Sequence, residues 1–288
     1  YLNFSDNSGT TSTTLGKDSS TYRMLTTQTN GTTNGIQRGA NLTGIANGKS
    51  GTVSIWVNFT NSATAYNPIW ISRDNVTLGD TLQLSRSSSG EIQIIAKNSS
   101  GTNILNASTS GAPCSAAGLY HIYATWDLTV NNRVFIYINA VDKTGTISTF
   151  TNDTIQYSVA NHGLAGNLYS PFSPVTAAMF GQVYVNYSTY LDPTTNISKF
   201  YGGSSTPISL GSTGQIPSGS SPIVYLDGDA TSILTNKGTG GNFSAYGTLA
   251  TGTTYIGTGV YFNDWTPNNF SVTAGVGNDS LTDTPTNY

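Results

Sequence analysis

Apolar side chains recur at every second position through the middle of this chain, and that period decides most of what it can fold into. Val53, Ile55, Val57 and Phe59 alternate with Ser54, Trp56 and Asn58, the repeat of a strand whose successive side chains point to opposite faces. Pro68–Ser72, Thr81–Ser85 and Glu91–Lys97 follow at short spacing, and Ser87-Ser88-Ser89-Gly90 makes a hairpin turn between the last two. Leu119–Asp127 and Arg133–Val141 are largely apolar on both faces, which predicts central strands covered on both sides. The link Leu128–Asn132 carries the Asn pair that a tight turn tolerates. Ala177–Tyr187, Pro222–Leu226, Asn242–Leu249 and Thr253–Phe262 supply further strands. Residues 1–52 read as mostly polar and Gly-rich, with Tyr1–Phe4 as the short strand candidate and Gly9–Ser20 as a loop, and Asn196–Tyr201 reads as a single helical turn. No segment sustains a 3.6-residue period over three turns. The expectation is an all-β protein, a two-sheet antiparallel β-sandwich.

Composition narrows the function. Charged residues are 9% of the chain, against about 25% in an ordinary soluble domain. Disorder is excluded by an 11% aromatic content with 17 Tyr, since disordered chains lack such residues. A net charge of -3 with 11 scattered Lys and Arg gives no basic face for nucleic acid. No run approaches the roughly 18 apolar residues of a membrane helix, so no membrane insertion is expected. The single Cys114 forms neither an internal disulfide nor a cysteine zinc site and reads as a spectator thiol.

Catalysis has little to work with. Glycoside hydrolysis uses two carboxyl groups at a set separation, and the one Glu, Glu91, has no acidic partner two or four positions on. His121 sits in a predicted central strand and reads as a packing histidine. His162, in Asn161-His162-Gly163, reads as a loop residue without a triad partner. No serine stands in a nucleophile-elbow context. A non-enzyme is expected.

The succession Gly51–Phe59, Leu119–Asp127, Asn132–Ala140 and Gly181–Pro193 resembles a concanavalin A-like, laminin-G-type jelly roll. Its centre has a strand ending T-W-D, a hairpin, and a strand reading Y-I-N-G. Ala140 stands here where that glycine is usual. Phe200–Leu249, with Pro207–Gly211, Gly214–Pro222 and Asn236–Phe243, resembles the variant of this domain in structural proteins of tailed bacteriophages. Tyr1–Ser20 and Asn263–Tyr288 are similar to segments that adjoin one another in large phage tail-fibre and virion proteins. The resemblance therefore implies a complete jelly roll at 21–262 inserted into an older virion framework, with arms at 1–20 and 263–288 packing together. The chain starts and stops mid-pattern, and it is read as a piece of a longer polypeptide.

Function by this resemblance is that of a virion structural protein, assembled in bacterial cytoplasm and acting outside it as part of a tail fibre or other host-contacting appendage. Its partners would be other virion proteins, further copies of itself (a trimer if it is a fibre), and a host cell-surface glycan. A capsid or tail decoration protein is the alternative, and a polysaccharide depolymerase is disfavoured by the carboxylate count. Tyr, Trp and Phe faces stack on sugar rings, which makes Tyr66, Trp70, Tyr169, Phe172, Tyr201 and Tyr246 the candidate ligand contacts. Each could instead staple a long loop to the sandwich. Calcium is a recurrent feature of laminin-G-type domains, and Asp227 and Asp229 are the candidate ligands here. An ordinary D-G-D turn is the other reading of that pair.

Overall fold

The computed structural model describes residues 22–74, 79–167, 173–174, 176–202, 206–256, 261–266 and 269–273. The chain divides into two units, residues 24–254 and residues 1–23 with 255–288. In chain order the strands are β1 (Tyr22–Asn30), β2 (Gly35–Arg38), β3 (Ser50–Phe59), β4 (Asn67–Asp74), β5 (Gly79–Arg86), β6 (Ile92–Lys97) and β7 (Asn103–Thr109). They continue as β8 (Gly118–Asp127), β9 (Val134–Ile138), β10 (Val141–Asp142), β11 (Thr144–Phe150), β12 (Asn161–Leu164), β13 (Gly166–Asn167) and β14 (Ser173–Pro174). After β15 (Ala177–Tyr187) come α1 (Pro193–Asn196), a 3-10 turn (Ile197–Lys199), β16 (Tyr201–Gly202), β17 (Thr206–Pro207), β18 (Val224–Leu226), β19 (Ser244–Tyr246) and β20 (Ala250–Ile256). In the other unit β21 (Tyr261–Thr266) and β22 (Asn269–Thr273) pair as an antiparallel hairpin. The expected Tyr1–Phe4 strand, the Gly9–Ser20 loop and, apart from that hairpin, the two flanking arms lie outside the described residues.

Two eight-stranded antiparallel sheets carry the fold. The first runs β10-β9-β8-β3-β15-β1-β20, with β18 also paired to β15; the second runs β11-β7-β6-β5-β4-β12-β2-β19. Between them lies one apolar core. Val53, Ile55 and Val57 of β3, Ile122 and Ala124 of β8, and Val183 and Val185 of β15 face Leu82, Leu84, Ile92, Ile94 and Leu105 of the second sheet. The alternation read from the sequence is the alternation that builds this layer. Gly51 stands on β3 because a Cβ there would lie 2.4 Å from the ring of Trp126.

The first sheet is covered on its other side as well. Residues 188–221 cross it as a strap with little regular structure, and Leu191, Phe200 and Leu210 pack with Tyr123, Tyr184 and Tyr225 into a second cluster. β3, β8 and β15 are therefore buried on both faces; of the two runs expected to be covered on both sides, Leu119–Asp127 is so in β8, whereas Arg133–Val141 is β9 and the edge strand β10, with Phe135 and Tyr137 only partly buried on the outer side.

Two readings are corrected and one is extended. Residues 1–52 contain two strands of the main sheets, β1 and β2, whose partners β15 and β12 lie far along the chain. The helical turn expected at Asn196–Tyr201 is the 3-10 turn Ile197–Lys199, and a turn of α-helix, Pro193–Asn196, precedes it, because the Asp192 side chain accepts from the Thr194 amide and Pro193 occupies the first turn. His162 lies in strand β12, paired to Ser72 of β4 and Arg38 of β2.

Candidate functional site

At one end of the sandwich a strand terminus places a cation inside the protein. Arg86 closes β5 and is 2% exposed. Its Nε and one terminal nitrogen donate to Asn67 Oδ1 at 3.1 and 2.7 Å, and the other donates to the carbonyls of Asn61 and Cys114 at 3.1 and 3.5 Å. The guanidinium carbon sits 3.8 Å from the centroid of the Phe59 ring. Burial pushes the Arg86 pKa down, yet a guanidinium stays charged in proteins. Carbonyl and amide oxygens and the ring face stand in for a carboxylate.

Those acceptors belong to loops, so the buried charge ties loops together. Asn61 lies in the connection 60–66 and Cys114 in the connection 110–117. The Ala63 amide donates to the Ser115 carbonyl at 2.7 Å, and the Cys114 amide to the Gly90 carbonyl of the β5–β6 turn at 3.0 Å. Gly90 has φ +99° and its Cβ position would lie 2.4 Å from the Ser115 backbone, so no other residue fits there. Burial pushes the Cys114 thiol up to about 12, which leaves it inert. On this fixed rim Tyr66 is 41% exposed, in a loop whose Asn61, Ser62 and Thr64 are exposed as well.

The structure separates the aromatic candidates. Trp70 is a correction: it is fully buried in β4, where its Nε1 donates to the Tyr187 hydroxyl at 2.7 Å, because it falls on the inner face of the strand read at Pro68–Ser72. Tyr201 lies on the outer face of the first sheet, stacked on Trp56 at 5.5 Å and 5°, and it staples the strap down. Tyr246 is half-buried against Ile71 on the second sheet. Tyr169 and Phe172 lie outside the described residues. Of the candidates among the described residues, Tyr66 alone joins the rim.

Asp227 and Asp229 do not fit a calcium ion. Asp227 Oδ2 accepts from the Tyr225 hydroxyl at 3.1 Å and pairs with the Lys237 ammonium at 3.4 Å. Asp229 Oδ1 takes the amides and hydroxyls of Thr231 and Ser232 at 2.8 to 3.0 Å, and those bonds hold its carboxyl down at about 2. A cation that needs six to eight oxygens would meet an ammonium and an oxygen already filled by its own turn. Among the described residues no group of three His, Cys, Asp or Glu could hold a metal.

Two serine–histidine contacts escaped the sequence reading. Ser54 Oγ lies 2.8 Å from His121 Nε2, and Ser72 Oγ lies 3.0 Å from His162 Nδ1. The second belongs to a directed chain. His162 Nε2 can only donate to the Val159 carbonyl at 2.9 Å, so Nδ1 accepts from Ser72; the Tyr187 hydroxyl donates to Ser72 at 2.8 Å and accepts from Trp70. Burial lowers both imidazoles to about 3. Both serines are buried, and a nucleophile that no substrate can reach does no acyl chemistry.

A laminin-G-type family model of the concanavalin A-like lectin/glucanases superfamily matches residues 30–179. A protein of Bacteroides ovatus, described as a candidate carbohydrate-binding protein, superposes with a TM-score of 0.51 at 12% identity over 81% of this chain, which spans 60% of that protein's length. The heptameric SAP-like pentraxin of Limulus polyphemus gives 0.48 at 11% identity over 80% of this chain and 94% of its own. The CBM40 domain of Ruminococcus gnavus IT-sialidase bound to α2,3-sialyllactose gives 0.43 at 15% over 60% and 95%. The superposition on the Bacteroides ovatus protein speaks for a shared fold alone. No curated protein sequence matches the chain.

Proposed function

This chain belongs to the concanavalin A-like lectin/glucanases superfamily, and from that premise we propose that it is a non-catalytic structural protein of a tailed-bacteriophage virion that touches a host cell-surface glycan through its Tyr66 rim. One observation carries the binding role: an exposed tyrosine stands on loops that a buried Arg86 holds in a single arrangement. An aromatic face ringed by hydroxyls and amides is the chemistry that packs on a sugar and orients it, and loops fixed in advance lose little entropy on binding. The non-catalytic part is supported by the lone Glu91 and by serine–histidine pairs sealed in the interior. The virion assignment is supported by the likeness of 1–20 and 263–288 to recurrent phage segments, with 21–262 as the inserted jelly roll. Its partners are other virion proteins and further copies of this chain, three in a fibre.

The test is antibody labelling of virions in electron microscopy together with attachment of the purified chain to host cells. Label on distal tail appendages is expected, with saturable attachment that Tyr66→Ala weakens at least tenfold. Even label over the head replaces the proposal with a decoration role, and reducing ends released from host polysaccharide would mean a depolymerase.

A further inference from the structure

At the margin of the strap the first sheet keeps a strip of half-buried aromatics. Val134, Ile136 and Ile138 of β9 are buried on its inner side, so Arg133, Phe135 and Tyr137 share the outer side, and all three are partly exposed. On one flank the register partner of Tyr137 is Tyr123, under the strap; on the other it is the exposed Asp142 of β10. The strap begins beside this strip with Tyr190 and Asp192. The Arg133 guanidinium, paired with Asp127 at 3.1 Å, stands 5.1 Å from the centroid of the Tyr190 ring. Burial raises the pKa of both tyrosine hydroxyls, and the Asp192 charge raises both further, joined by Asp142 at Tyr137 and, against the pull of Arg133, by Asp127 at Tyr190. One carboxylate therefore stands by both rings. Lys143, next along the chain from Asp142, and Lys199, held by Asn196 Oδ1 and the Pro217 carbonyl, are not among the groups that act on them.

We propose that this strip binds a glycan carrying free amino groups, with the Tyr137 and Tyr190 rings as its stacking surface and Asp142 and Asp192 as its counter-charge. The inference rests on the glycan contact proposed above and adds a charged subsite to it. Charge complementarity selects the occupant. Asp127 and Arg133 neutralise one another, whereas Asp142 and Asp192 are exposed and have no such partner here. Each gives Oδ1 to its own turn, Asp142 to the Thr144 amide and Asp192 to the Thr194 amide, both at 2.9 Å, and those neutral donors leave the negative charge in place. An ammonium beside a tyrosine ring gains from the ring face and from the carboxylates, while the C–H face of the same sugar packs on the ring. The molecule already seats one cation in this manner, Arg133 on Tyr190. From Arg133 to Tyr137 the strand rises about 14 Å, the reach of a short oligosaccharide. An acidic glycan is repelled from this strip, and a neutral one leaves both carboxylates without a counter-charge.

Fluorescence-polarisation titration of the full chain against a labelled glucosamine oligosaccharide, the same oligosaccharide N-acetylated, and oligolysine tests this. The amino form is expected to bind at least tenfold tighter than either of the others. Asp142→Asn/Asp192→Asn should lose that tenfold with an unchanged melting curve, because an amide oxygen still serves both turns. Asp229→Asn, which removes a carboxylate elsewhere, should bind as wild type. Equal binding of the two oligosaccharides, or a double variant that binds as wild type, overturns the inference. Oligolysine held as tightly as the amino form overturns it in favour of a basic protein segment. Host-cell attachment that Tyr66→Ala weakens, with no preference for the amino form, sinks this inference alone; preference for the amino form without host attachment upholds it and sinks the rim.

Discussion

On the inner face of the first sheet, Val53, Ile55, Ile122, Ala124, Val183 and Val185 meet a second sheet and nothing else is required of them. On its outer face the same three strands present Thr52, Ser54, Trp56, His121, Tyr123, Thr125, Gln182 and Asn186, equally buried but under a strap. A sheet supplies its own backbone hydrogen bonds, whereas an irregular segment leaves carbonyls that must find donors. The outer side chains are those donors. The Tyr123 hydroxyl reaches the Leu191 carbonyl at 2.5 Å, Trp56 Nε1 the Phe200 carbonyl at 3.3 Å, Gln182 Nε2 the Ile208 carbonyl at 2.8 Å and Thr52 Oγ1 the Thr189 carbonyl at 2.8 Å. What covers a strand, and not only whether it is covered, sets which residues it can carry.

Acid should break both sides of this comparison, because each holds one buried imidazole, His121 under the strap and His162 at the inner core. Both sit at about 3 against an ordinary 6.5. Below pH 6.5 the unfolded chain binds protons that the folded chain refuses, so stability present at neutral pH is lost as pH falls from 6.5 toward 3. The slope approaches about 1.4 kcal/mol per pH unit for each histidine, several kcal/mol in total by pH 4. Urea midpoints measured from pH 7 to 4.5, above the carboxylate range, should fall steadily. A flat profile would mean that the imidazoles accept protons in the native state.

Phe200→Ala addresses the strap alone. Its ring lies 5.5 Å from Tyr123, 5.1 Å from Tyr184 and 6.5 Å from His121, and its loss should cost about 3–5 kcal/mol by chemical denaturation. A cost below about 1 kcal/mol would show that the strap adds little to the sheet beneath it. Tyr123→Phe keeps the ring and deletes one donor. It should cost about 1–2 kcal/mol, the carbonyl of Leu191 being left buried without a partner; an unchanged midpoint would mean that packing alone holds the strap.

The smallest change tests neither cover. Asn139 and Ala140, between β9 and β10, have φ of 51° and 61°, and the Asn139 side chain accepts from the His121 amide at 2.8 Å. Alanine in the left-handed region is strained where glycine is not. Ala140→Gly should therefore stabilise by about 0.5–1 kcal/mol, read as a small rise in melting temperature, whereas destabilisation would mean that the turn accepts a Cβ without strain.

The long strands were legible because their pattern is local. Ser50–Phe59 and Gly118–Asp127 carry enough alternating Val, Ile and aromatic residues to announce themselves. Gly35–Arg38 and Asn161–Leu164 were not, since four residues hold almost no periodicity and these two exist through pairing with each other and with β4 and β19. Asn-His-Gly reads as a turn until that pairing is known. At the rim, Tyr66 was legible as an aromatic in a polar loop. Arg86 was not: a single arginine at a strand end looks solvated, and nothing nearby in sequence foretells a cage built from Asn61, Asn67 and Cys114. Trp70 erred the other way: its neighbours Ile69 and Ile71 point to a strand, and nothing local says that its own face is the inner one.

Synthesis order gives the strap a further consequence. A ribosome delivers the sandwich strands through Tyr187 before residues 188–221 emerge. During that interval the sheet's uncovered side shows Trp56 and tyrosine rings set among threonine, serine, glutamine, histidine and tyrosine polar groups that water can satisfy. Had the same side been built from valine and isoleucine like its opposite, the nascent chain would carry a bare greasy panel with nothing yet made to cover it. The polar weave beneath the strap lets the half-made protein wait in water.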